Sequence, residues 1–197
     1  MIIRKTADEI ACMARAGAVV ARTHEAVAEA LRPGVTTLDL DRVAERVVIG
    51  EGAVPSFKGY RGFPATLCTS KNDQIVHGIP SDDVRLDAGD VISIDCGAIV
   101  EGFHGDSATT LIVGGEDAVS TEVAQLVRET RNAMWRGLAQ AQHGNRLGDI
   151  GAAVEEVADA ATVPCGHGVR RLEAEVPQLV DRRLLAVPVD LDVHQQR

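Results

Sequence analysis

Aromatic residues are nearly missing from this sequence, which has one Trp, one Tyr and three Phe among 197 residues. Any core it buries must therefore be aliphatic, built of Ala, Val, Leu and Ile. Cysteine is sparse too. Cys12, Cys68, Cys96 and Cys165 stand far apart with no Cys-x-x-Cys pair, which speaks against a disulfide framework and for buried or site-lining thiols in a reducing compartment. Positive charge is in deficit, with 20 Lys and Arg against 29 Asp and Glu and a net charge of −9. That sign argues against a phosphate backbone or an anionic membrane as main partner. No apolar run approaches the ~20 residues a membrane helix needs. Met1-Ile-Ile-Arg-Lys-Thr6 leads into an amphipathic pattern rather than an apolar signal segment. The expectation is a cytoplasmic protein with neither a nucleic-acid nor a membrane partner.

With 45% hydrophobic and 25% charged residues, the chain is an ordinary globular one, long enough to bury one domain's core. Thr6-Ala-Asp-Glu9 reads as a capping box, and Ile10, Met13, Gly17, Val20, Val27 and Leu31 follow at roughly helical spacing. Pro33-Gly34 stops that helix. A second starts near Thr36 or Thr37, turns Leu40, Val43 and Val47 inward and ends at Gly50-Glu-Gly52. Residues 53–90 read as loops with short strands, broken by Gly59, Gly62, Pro64, Gly78 and Pro80. Val91–Val100 and Phe103–Val113 form a hairpin about a turn near Glu101-Gly102. Helices over about 120–141 and 148–161 follow. Aligning Gly34 with Gly144 also aligns Asp39 with Asp149, Leu40 with Ile150, Glu45 with Glu155 and Val47 with Val157. The spacing predicts an internal duplication. The second copy has only 36 residues after its helix pair, so a duplicated fold would be left short.

The chemistry concentrates on the hairpin. Asp95 sits in an apolar strand, where desolvation disfavours its charge, and Asp106 returns on the facing strand. A turn at Val100-Glu101 would set the two face to face; a turn at Glu101-Gly102 would make them diagonal neighbours. Either register puts them on one face, a pair suited to one or two divalent cations. His77 and His167 lie between glycine-rich neighbours that leave an imidazole accessible. Carboxylates with imidazole form a mixed N/O site for Mn, Fe, Co or Zn rather than Ca. His24, His104, His143 and His194 have no such setting, and His104 is expected to point away from the metal face.

The series Phe63-Pro64, Cys68-Thr-Ser-Lys-Asn72, Val76-His-Gly-Ile-Pro80, Gly89-Asp-Val-Ile-Ser-Ile-Asp95, Gly102-Phe-His-Gly-Asp106 and Cys165-Gly-His-Gly168 resembles the ordered motifs of type I methionine aminopeptidases. The resemblance spans about residues 4–168. It implies an α+β pita-bread (creatinase/aminopeptidase-like) fold, pseudo-twofold, with the second half incomplete: a metallopeptidase domain over 1–168 and a divergent tail over 169–197. It implies removal of the N-terminal Met from peptides and nascent chains, with association with the ribosome as a further partner. Asp95 would bind one metal, Asp106 would bridge two, and His167 would bind the second. His77 would act at the scissile amide without ligating metal. Tyr60, Phe63 and Cys68 would line the methionine pocket, where a sulfur-tolerant apolar wall suits a thioether.

The sequence also departs from that pattern. The resemblance calls for an Ile-Glu-Pro glutamate and a glutamate before His-Thr, and neither motif occurs. Ala174 stands where a second substrate histidine is expected. Asp190, Asp192 and His194 alternate along the tail and read as a solvated strand face rather than as replacement ligands. The expectation is therefore a two-metal aminopeptidase. Its alternatives are an inactive pita-bread fragment or binding module holding one ion or none, and a prolidase-like peptidase.

Overall fold

Helix α1 (Ala7–Ala30) begins where the Thr6 capping box predicts. The Thr6 hydroxyl accepts the Glu9 N–H at 3.2 Å and the Glu9 carboxylate accepts the Thr6 N–H at 2.7 Å, so two orphan donors of the first turn are satisfied. The buried stripe is Ala16, Val19, Val20, Thr23 and Val27, whereas Ile10 and Met13, expected inward, are exposed. The first turns of the helix bury no residue at all. Helix α2 (Thr37–Gly50) repeats the capping device with Thr36 and Asp39. Its stripe runs through Thr37, Leu40, Asp41, Ala44 and Val48, rotated from the expected Leu40, Val43, Val47.

The computed structural model describes residues 3–161. Strands β1 (Val54–Pro55), β2 (Leu67–Lys71), β3 (Val91–Val100) and β4 (Phe103–Ile112) form one antiparallel sheet. β3 is central: β4 pairs along its whole length on one edge, and β1 and β2 pair in turn along the other. The hairpin turns at Glu101-Gly102, with φ of 50° and 83°, the left-handed pair that a tight two-residue hairpin turn requires.

Period-2 alternation divides the sheet into two faces. Ile92, Ile94, Cys96 and Ala98 of β3, with Leu67 of β2, join Val19, Val20, Val27, Leu40, Ala44 and Val48 in a single aliphatic core. Each fully buried Leu or Ile there contributes ~1.5–3 kcal/mol. Gly105 of β4 meets α1 on this face; a Cβ there would lie 2.5 Å from the Ala16 carbonyl carbon and the Gly17 nitrogen. The opposite face carries Cys68, Asp95 and Asp106.

The chain divides into two compact units, Met1–Arg128 and Glu129–Arg197. Helix α3 (Thr121–Ala139) runs across that division, and α4 (Leu147–Ala160) follows it. Within the second unit α3 and α4 pack where Gly137 would place a Cβ 2.8 Å from Val154. α2 and α4 begin and end 110 positions apart. Gly34 and Gly144 take φ of 93° and 95°, and Asp149 accepts the Arg146 N–H at 2.7 Å as Asp39 accepts that of Thr36. The duplication read from the sequence thus extends to backbone conformation.

Candidate metal and substrate site

The turn position decides how the two acids meet. With Val100 opposite Phe103, Asp95 pairs with Ala108 and Asp106 with Gly97. The carboxylates are diagonal neighbours on one face, in hydrogen-bond contact with each other. Burial, then the charge and hydrogen bond of Asp106, push the Asp95 carboxyl up to about 6, while His77 draws it back. Asp95 is half-buried and Asp106 exposed, and two carboxylates so close together are best accommodated by a cation between them. The pair therefore fits the acidic half of a metal site. Among the described residues no group of three or more potential ligands assembles; His167 lies outside the described residues.

Cys68 is the residue directly opposite Asp95 on β2. It is buried. Burial, then the charges of Asp95 and Asp106, push its thiol up to about 11. It remains a protonated, apolar wall at neutral pH rather than a nucleophile.

His77 lies on the loop after β2, with φ of 59°. The loop folds back along β2: the Gly78 carbonyl accepts the Thr69 N–H at 2.8 Å, and the Gly78 N–H donates to Ser70 Oγ at 3.2 Å. A Cβ on Gly78 would stand 2.0 Å from the Thr69 oxygen. The glycine after His77 is thus required by close backbone approach. That contact ties the His77 loop to β2, the strand paired with the Asp95 strand.

Tyr60 and Phe63 occupy a 3-10 turn between β1 and β2. The turn is closed by the Gly59 N–H to Phe63 carbonyl bond at 2.8 Å and by the Phe63 N–H to Tyr60 carbonyl bond at 2.9 Å. Tyr60 is exposed and Phe63 half-buried. Just before them Ser56 donates its N–H to Gly97 at 2.9 Å. The Phe57 ring and the Ser56 side chain lie over Gly97 on the acid-bearing face, each within 3 Å of where a Cβ would be.

One expectation is corrected. His104 does not point away from the metal face; it pairs with Ile99 two residues from Asp106, and an even separation keeps both side chains on one face. Its Nδ1 is 3.0 Å from Ser56 Oγ. Sequence reading also missed Asp41. Buried on α2, it accepts the Thr66 and Leu67 N–H groups at 2.9 and 2.7 Å. A lone Asp on a helix stripe otherwise free of charge was the available signal.

A four-stranded sheet with helices on one face and an acid pair on the other is the architecture of a metallopeptidase half-domain, and comparisons with known proteins agree. The profile of metallopeptidase family M24 matches residues 11–194. Methionine aminopeptidase of Clostridium acetobutylicum is 42% identical over 184 residues, covering 91% of this chain and 72% of that protein. Methionine aminopeptidase 1 of Bacillus subtilis is also 42% identical, with 91% and 73% covered. The crystal structure of a methionine aminopeptidase from Thermotoga maritima superposes with a TM-score of 0.77 at 34% identity, covering 81% of this chain and 63% of that one. A prolidase from Pyrococcus furiosus, 20% identical with a TM-score of 0.69 over 80% of this chain and 44% of its own, shares the fold. The chain belongs to metallopeptidase family M24, within its methionine aminopeptidase branch, and has that family's pita-bread fold and dependence on divalent metal. It spans about 72% of the curated relatives' length and 63% of the solved structure's.

Proposed function

We propose that this protein removes methionine from the free N-terminus of peptides and nascent chains in a metal-dependent hydrolysis. The observation that carries the reading is that Asp95 and Asp106 stand diagonally on one sheet face with Cys68 opposite Asp95, the His77 loop following β2. Asp95 and Asp106 would hold the metal, with His167 as the imidazole donor and two ions of Mn, Fe, Co or Zn as the full complement. Held by these residues, a divalent ion would supply an activated water and Lewis-acid polarisation of the peptide carbonyl. Asp106 would be the carboxylate shared by the two ions. Asp95 would bind one ion through its carboxylate. His77 donates a hydrogen bond at the scissile amide, held in reach by the Gly78 contact with β2. The methionine side chain lies against Tyr60, Phe63 and Cys68, where the protonated thiol offers a polarisable surface to a thioether. The cytoplasm, where nascent chains leave the ribosome, is the place for this reaction.

The test is turnover of Met-Ala-Ser with added Mn²⁺ or Co²⁺, compared with Leu-Ala-Ser. Metal-dependent release of methionine, abolished by Asp106→Asn, is expected. Folded protein that binds the ion and releases no methionine would overturn the reading in favour of a binding module.

A further inference from the structure

We propose that Asp41 is a positioning residue that sets the methionine pocket from the helix side of the sheet. The proposal rests on the reading of Cys68 as a wall of that pocket. Asp41 is only 5% exposed, on the stripe of α2 where its neighbours are Leu40, Ala44 and Val48. Packing alone would favour an apolar residue there, since a buried carboxylate is costly without partners. Its partners are specific. One oxygen, Oδ1, accepts two successive backbone N–H groups, of Thr66 at 2.9 Å and Leu67 at 2.7 Å.

These amides lead into β2 two and one residues before Cys68, and Cys68 stands opposite Asp95. Thr66 is fully buried and its own hydroxyl has no hydrogen-bond partner, so Asp41 is the polar anchor of that backbone. Four residues on, and so on the same side of α2, Glu45 pairs with Lys58. Lys58 follows Phe57, the ring that lies over Gly97. One face of α2 thus ties down both segments that carry the pocket residues. Asp41 does so from within the core and Glu45 at the surface, where an ion pair is weaker. Neither belongs to the acid pair. Groups that orient a site's contact residues without touching the ligand govern how closely the site fits it.

The experiment compares Asp41→Ala, Asp41→Asn and Lys58→Met with wild type. Asp41→Asn keeps an acceptor oxygen, and Lys58→Met leaves the core untouched. We expect Asp41→Ala to lower kcat/KM on Met-Ala-Ser by about 10-fold or more. The loss should fall mainly on KM and reduce the preference for Met-Ala-Ser over Leu-Ala-Ser. Asp41→Asn should recover most of it, and Lys58→Met should give about a 2-fold change in the same direction. Mn²⁺ affinity should stay at wild-type level, because Asp95 and Asp106 are held by the β3–β4 ladder. Equal losses on both peptides, no recovery in Asp41→Asn, or Mn²⁺ affinity falling with activity would overturn the proposal. A second readout needs no turnover: alkylation of Cys68 by iodoacetamide, resolved by peptide mass spectrometry. Asp41→Ala should raise the Cys68 rate by about 10-fold with Cys96 unchanged; an unchanged Cys68 rate would overturn the proposal. If wild type releases no methionine, the functional reading fails while the alkylation result still decides the role of Asp41.

Discussion

Adding one methyl group at Gly78 should separate catalysis from folding. The new Cβ would lie 2.0 Å from the Thr69 oxygen, 2.8 Å from its carbon and 3.2 Å from Ser70 Cα. All three are backbone atoms of β2 or its ladder, so none can turn aside as a side chain would. Carbon needs roughly 3.5 Å from such neighbours, which requires the loop to lift by more than about 1 Å. That movement breaks the bonds from Thr69 N–H to Gly78 and from Gly78 N–H to Ser70 Oγ, at ~0.5–1.5 kcal/mol each. Little apolar burial is lost, because Ile75, Val76 and Ile79 are exposed already. Global stability should therefore fall by about 1–3 kcal/mol. His77, by contrast, moves with the loop, and a displacement of about 1 Å can cost ~10²-fold in rate. In Gly78→Ala we expect kcat/KM on Met-Ala-Ser to drop ~10²-fold while calorimetric Mn²⁺ affinity stays at wild-type level. Unchanged turnover, or metal affinity lost together with turnover, would refute the reasoning.

Other outcomes follow from the same geometry. Gly105→Ala should destabilise the fold by ~1–3 kcal/mol in chemical denaturation, because its Cβ meets α1 backbone at 2.5 Å. The hairpin should move as a unit, so metal affinity should survive; its loss would show that the acid pair depends on α1. Burial alone would raise the pKa of Asp90, but the Lys71 ammonium, the Asp87 N–H and the Asn72 amide together hold it below the usual carboxylate range. A depressed carboxylate contributes stability above its unfolded value of ~3.9, lost as pH falls through the folded value. Asp90→Asn should thus cost ~1–3 kcal/mol at neutral pH, with the difference shrinking below about pH 4; a pH-independent difference in urea melts would contradict this. His167→Ala should weaken Mn²⁺ binding while His77→Ala leaves it nearly intact, and equal losses in titration calorimetry would reverse their roles.

Much of this was legible in the sequence because it rests on local rules. Capping boxes, Pro33-Gly34 and the hairpin's alternation locate α1, α2, β3 and β4, and parity alone places Asp95 and Asp106 on one face. Which of two registers applied depended on the turn, and the left-handed Glu101-Gly102 pair decides it. What stayed hidden came from tertiary contact. The inward stripe of α2 is rotated from the expected Leu40, Val43, Val47, with Asp41 turned inward to meet β2. Parity puts His104 on the face of Asp106, while its approach to Ser56 depends on how the loop after β1 crosses Gly97. The need for glycine after His77 comes from the approach of the loop to the Thr69 backbone, a tertiary contact.

The most direct test of the central claim is titration of the purified protein with Mn²⁺ alongside Asp95→Asn, Asp106→Asn and Glu101→Gln. Glu101 lies at the exposed hairpin turn, paired with Arg15 at 2.7 Å, outside the acid pair. If Asp95 and Asp106 share the cation, either Asn variant loses ~2 kcal/mol or more of binding, well over 10-fold, and Glu101→Gln binds like wild type. Equal affinity across all four proteins would contradict the account, because the ion would then sit away from the hairpin face on which it is built.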